Sequence, residues 1–160
     1  MEQKEQYVPF CDSSYRVKLL AGTGTSDGVY TYPYLEGISL THEIARAAAQ
    51  RDKESAGRVL REAVGVLEEL ICGGSDRQET GMPDSREFVG VFGPARSERE
   101  YRMACPANID LIFDNLILED DVLYVIDGEW VFDFPVPVLF ILWRALNELY
   151  VLHPEMGGSF

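Results

Sequence analysis

The sequence predicts an α+β fold with a mainly helical body. Short alternating segments flank turns rich in Gly or Asp, at 15–32 and again at 116–126. Stretches beginning near Thr41 and Lys53 repeat apolar residues at helical spacing. A third stretch, Val138 to Leu152, is apolar almost throughout and long enough for a helix. With 160 residues, 46% hydrophobic and 26% charged, the chain has the size and composition of one domain with a substantial core. Its 14 Lys and Arg against 27 Asp and Glu leave a formal charge of −13. Such a chain repels phosphate backbones, which argues against general nucleic-acid binding.

Residues 1–14 are expected to be a partly disordered lead-in. Tyr15 to Leu20 alternates apolar with charged residues and reads as a strand. Ala21 to Gly28 is a turn, and Val29 to Tyr32 is a second strand that closes a hairpin with the first. Pro33 ends it, and Leu35 to Leu40 connects to a helix capped by Thr41. The next helix runs from about Lys53 to Ile71, with Val59, Leu60, Ala63, Val66, Leu67 and Leu70 on one face, and Gly73-Gly74 stops it. An exposed loop is expected over 73–85 and a short helix over Ser97 to Met103. Leu116 to Leu118 and Leu123 to Ile126 are strands joined through Glu119-Asp120-Asp121, a solvated tip. Val138 to Leu152 is expected as a buried helix entered through Pro135 and Pro137, and 155–160 as a loose tail.

Cys11, Cys72 and Cys105 form no CxxC pair and suit a reducing compartment. The opening MEQKEQYVPF has no apolar signal core. The most apolar run, Val131 to Leu142, is broken by Asp133, Pro135 and Pro137, so no membrane span is expected. These features lead to the expectation of a cytoplasmic protein. No GxSxG supports a hydrolase nucleophile, and His42 and His153 lie far apart with structural or surface roles.

The chemistry concentrates in Asn108 to Trp130, NIDLIFDNLILEDDVLYVIDGEW. Asp110 and Asn115 precede the 116–126 hairpin and Asp127 follows it, so a tight hairpin draws the three together. An Asn carbonyl and an Asp carboxylate suit a hard cation such as Mg²⁺. A second Asp beside them is placed to orient a hydroxyl and take its proton. Taken singly, each residue is equally at home in a turn. The aromatic run Trp130, Phe132, Phe134, Phe140 and Trp143 is expected in the core.

An Asp, an Asn five residues on and an Asp after a short hairpin resemble the catalytic core of the protein-kinase-like superfamily. The IDGEW form is similar to the aminoglycoside-phosphotransferase-like branch. The longer run Ile126 to Val138 looks like kinase-like domains of bacterial polysaccharide-assembly proteins, which accompany methyltransferase or glycosyltransferase modules. The resemblance implies a truncated or degenerate kinase-like phosphotransferase using ATP and Mg²⁺. It implies a small-lobe hairpin remnant and hinge over 15–37 and a large lobe over 38–154. It makes Asp110 the catalytic base and Asn115 and Asp127 the metal ligands, with Tyr32, Tyr34, Leu35 and Glu36 facing an adenine. The acceptor is then a sugar or another small hydroxylated molecule.

The departures are specific. Asn108 stands where a His usually precedes the catalytic Asp, and Gly128 replaces the aromatic after the metal Asp. About 14 residues precede Tyr15, too few for a Gly-rich loop, a strand Lys and a helix Glu. The alternative is therefore a non-catalytic interaction module in polysaccharide assembly, forming a homodimer or docking on a glycosyltransferase or methyltransferase partner. An unrelated α+β domain with coincidental spacing is the third reading.

Overall fold

The computed structural model describes residues 8–9, 16–25, 27–49, 53–73, 79–96 and 98–154. The expected lead-in falls outside them apart from Val8–Pro9, and the expected tail falls outside them entirely. In chain order the elements are β1 (Val8–Pro9), β2 (Arg16–Leu19), β3 (Thr23–Gly24), β4 (Tyr30–Thr31), β5 (Ile38–Ser39), α1 (Leu40–Ala49) and α2 (Lys53–Cys72). There follow β6 (Thr80–Gly81), α3 (Arg86–Phe92), β7 (Tyr101–Ala104), β8 (Ala107–Asn108) and a 3₁₀ turn (Phe113–Asn115). The chain closes with β9 (Leu116–Glu119), β10 (Val122–Val125), β11 (Val131–Phe132), β12 (Val136–Pro137) and α4 (Val138–Leu152). The fold is α+β.

The largest sheet has the order β1-β2-β10-β9-β5. The β9–β10 hairpin turns on Asp120 and Asp121, whose φ angles of 47° and 60° are left-handed. Paired positive φ values match a two-residue turn to the strand twist, and Asp tolerates them better than most residues. β2 joins β10 in parallel, with Val17 opposite Leu123. The expected pairing of 15–20 with 29–32 is thus corrected. β4 instead pairs with β3 in a hairpin of its own, Thr23 opposite Thr31. The reason is burial: Val17 and Leu123 are both buried, whereas both strands of the β3–β4 hairpin are exposed and have no apolar face to offer β2.

Ser39, not Thr41, caps α1: its Oγ accepts the His42 N–H at 3.2 Å, while Thr41 is buried in the first turn. α2 buries Ala56, Ala63, Leu67 and Ile71 along one stripe, as its periodicity predicts. The loop expected over 73–85 contains β6 and ends in Ser85, which accepts the Phe88 N–H and caps α3. The helix expected over Ser97 to Met103 does not form. Tyr101–Ala104 is instead the central strand between β6 and β12, where its backbone finds partners on both sides.

Phe113, Ile44, Leu67, Leu116, Leu123, Ile141 and Val136 are the largest fully buried side chains among the described residues, so α1, α2, α4 and the main sheet share one core. Phe92 gathers Phe88, Phe132, Phe134 and Phe140 around it at centroid distances of 4.9 to 6.5 Å. Trp130 and Trp143, expected in the core with these rings, are exposed. α4 buries Val138, Ile141, Ala145 and Leu149, but its opposite face is open, which corrects the expectation of a wholly buried helix. No helix among the described residues is long and apolar enough to cross a membrane.

Two predictions follow from packing. Gly37 lies so close to β9 that a methyl group there would come within 2.3 Å of the Leu118 carbonyl oxygen. Gly37→Ala is expected to destabilise the chain by about 1–3 kcal/mol, read as a lower midpoint in urea. Burial pushes the half-buried Cys72 thiol up, Glu68 adds to the rise and Arg102 opposes it. Cys105 is exposed. Iodoacetamide at neutral pH is therefore expected to alkylate Cys105 several-fold faster than Cys72, read by peptide mass spectrometry.

Candidate functional site

The segment selected from the sequence as chemical is a tightly bonded loop. β8 pairs with β11, Asn108 opposite Val131, and the Ile109 N–H donates to the Trp130 carbonyl at 3.0 Å. Asn108 Oδ1 accepts the Asp110 N–H at 2.9 Å, a turn its side chain makes locally. The Asp110 carbonyl accepts the Ile112 N–H at 2.7 Å and the Asn115 side-chain amide at 3.0 Å. The 3₁₀ turn holds this geometry because Phe113 is anchored in the core.

The Asp110 side chain is only 9% exposed and both its oxygens are engaged. Oδ2 accepts the Trp130 N–H at 3.1 Å. Oδ1 accepts Arg144 Nη1 at 3.1 Å, and the same guanidinium nitrogen donates to the Ile109 carbonyl. Asp110 therefore joins its own loop, the approach to β11 and the middle of α4. The sequence did not mark Arg144 as a partner because α4 lies more than thirty residues downstream.

Asp127 follows β10 with a left-handed φ of 55° and is exposed. The Ile126 N–H donates to the Asn115 carbonyl at 2.9 Å, so the backbone of Asn115 is fastened beside Asp127. A cleft of about 650 Å³ opens at this point, within the range of small-molecule sites. Its walls include Tyr32, Tyr34, Leu35 and Asp127, brought together from two distant stretches of chain. Glu36, expected beside them, does not line it. The N–H groups of Glu36 and Gly37 instead donate to Glu119 Oε1. This corrects the reading of Glu119 as a solvated tip residue: its carboxylate pins the 32–37 connector to the sheet.

Tyr30 and Leu19, not singled out from the sequence, also line the cleft, as does Glu129. The signal was the alternation Tyr30, Tyr32 against Gly22, Gly24 across the short hairpin. A methyl group on Gly22 would come within 2.6 Å of the Tyr32 ring, and one on Gly24 within 2.9 Å of the Tyr30 ring. Each ring thus packs against a cross-strand glycine, and the hairpin presents aromatic side chains to the cleft. The charged lining residues are Asp127 and Glu129; among the described residues no Lys or Arg lines it.

The same described residues hold no group of three or more His, Cys, Asp and Glu placed for a metal. Of the two expected ligands only Asp127 lines the cleft; Asn115 and Asp110 do not, and the Asn115 amide nitrogen donates to the Asp110 carbonyl. One lining carboxylate is too few to hold Mg²⁺ alone; an ion there needs its other ligands from phosphate, water or a neighbouring side chain. No family model, curated protein or solved structure matches the chain.

The Asp110 knot yields a stability prediction. Asp110→Ala leaves the Trp130 N–H without its acceptor and a half-buried guanidinium without its carboxylate partner, and is expected to cost about 2–4 kcal/mol in urea denaturation. A residue kept for proton transfer alone would leave the midpoint unchanged or raise it.

Proposed function

We propose that the chain is a degenerate kinase-like module that binds a nucleotide together with Mg²⁺ in the 650 Å³ cleft and transfers phosphate poorly or not at all by itself. The supporting observation is that Tyr32, Tyr34, Leu35 and Asp127, selected by resemblance, line one cavity. Flat aromatic and aliphatic walls suit a purine ring. Asp127 and Glu129 repel a bare polyphosphate, so the phosphates need a divalent ion to enter. Asp127 and Asn115 would hold that ion, which supplies charge neutralisation when bound.

The engagement of Asp110 favours the non-catalytic alternative. A general base must reach the proton it accepts, and both oxygens of this carboxylate are occupied by Trp130 and Arg144. The cleft also offers no cation to clamp the phosphates, which phosphoryl transfer depends on. The setting that the Ile126 to Val138 run favours is polysaccharide assembly, with a hydroxylated acceptor if any transfer occurs.

Calorimetric titration tests this. ATP with Mg²⁺ is expected to bind, while ATP in EDTA and Mg²⁺ alone are not. Asp127→Asn is expected to weaken the complex at least tenfold, with phosphate release at the uncatalysed rate throughout. A folded chain that ignores millimolar ATP and Mg²⁺ overturns the proposal.

A further inference from the structure

The open face of α4 carries an apolar surface that the cleft does not explain. Leu139, Trp143, Leu146 and Tyr150 follow one another at spacings of four, three and four residues, which is one stripe along a helix. They are 62%, 56%, 37% and 66% exposed. This stripe lies opposite the buried Val138, Ile141, Ala145 and Leu149, so α4 is apolar on both sides. A helix apolar all round is one that something covers.

We infer that the cover is a second copy of this chain, packed through α4 against α4 in antiparallel fashion about a two-fold axis. The first argument is register. The four positions are symmetric about the point midway between Arg144 and Ala145. An antiparallel pairing centred there sets Trp143 against Leu146 of the partner subunit and Leu139 against Tyr150 of the partner subunit, each contact occurring twice. A two-fold interface requires this reciprocity, and here each large ring meets a smaller side chain.

Charge is the second argument. Two chains of −13 repel one another across most of their surfaces. The α4 stripe contains no carboxylate. Glu148 lies off it and is half-buried, and Arg144 is turned inward to Asp110. This face lets two acidic copies meet without opposing their carboxylates.

Area and order agree. The four side chains expose on the order of 500 Å² per copy, so two copies reach the roughly 1,000 Å² expected of a specific interface before any rim is counted. Trp143 is already stacked on Phe140, with ring centroids 6.1 Å apart and planes 30° apart. Phe140 in turn packs on Phe92. The indole therefore loses little freedom on docking, which is the character of an interface anchor.

The proposal is independent of the nucleotide reading. Sedimentation equilibrium of the 160-residue chain from 1 to 100 µM tests it, with circular dichroism to check folding. The wild type is expected to dimerise, more tightly at 500 mM than at 50 mM NaCl because salt screens the net repulsion. Trp143→Ala is expected to weaken the dimer at least tenfold. Leu139→Glu alone and Tyr150→Lys alone are expected to do the same. Both changes favour the helix, placing an acid in its first turn and a base in its last. Combined in one chain they are expected to restore dimerisation to within about threefold of wild type, because each introduced acid then faces the partner's introduced base. The two positions are roughly 16 Å apart along one helix, too far to pair within it. A wild type that stays monomeric at 100 µM overturns the proposal. So does a dimer that salt weakens, that survives Trp143→Ala, or that the double variant fails to restore.

Discussion

The carboxylate of Asp110 is the interaction on which the chemical end of this molecule depends. It takes one donor from the Trp130 backbone and one from Arg144, and so ties together three segments that lie far apart in the sequence. The loop before β9, the entry to β11 and the middle of α4 all bond to one buried group, beside the β8–β11 pairing. Unpaired, that carboxylate would be costly in such surroundings, and pairing turns the cost into a constraint on geometry. The Asp110 carbonyl extends the constraint to Asn115, and Asn115 extends it to Ile126, the residue before Asp127. The position of the cleft's acidic end follows from this chain of bonds.

The other end of the cleft is set by Glu119. Its side chain replaces the missing backbone partners of the connector at Glu36 and Gly37, and Gly37 leaves no Cβ to hold the connector off the sheet. The tyrosine hairpin projects from this fixed base. Its strands bury nothing, so it is held by backbone pairing and by rings packed against glycines. The cleft thus has an acidic end held by side-chain bonds and an aromatic wall held by backbone pairing.

α4 serves two surfaces at once. One face completes the core and carries Arg144 into the Asp110 knot, and the other presents Trp143 over Phe140. The same aromatic cluster that fills the interior therefore also stiffens the open stripe. A ligand in the cleft and a partner on α4 would act on elements joined through Asp110, a direct physical link between the two.

The sequence by itself determined those features that arise within a few residues of each other. The periodicities of α2 and α4 and the left-handed turn at Asp120-Asp121 are local properties, because side-chain spacing and backbone sterics act locally. The grouping of Tyr32, Tyr34 and Leu35 with Asp127 came from a family resemblance and not from any local spacing. Tertiary structure decided the rest. Whether Arg16–Leu19 paired with its neighbour or with β10 depended on which strand offered a buried side chain opposite Val17. Whether 101–104 became helix or strand depended on β6 and β12 lying on either side. Both oxygens of the Asp110 carboxylate are engaged because Arg144 reached it from a distant helix, and Glu119 left the solvent because two N–H groups needed an acceptor. Unpaired backbone groups and buried charges take the partners that the assembled fold brings to them, and those partners lie far away in the sequence.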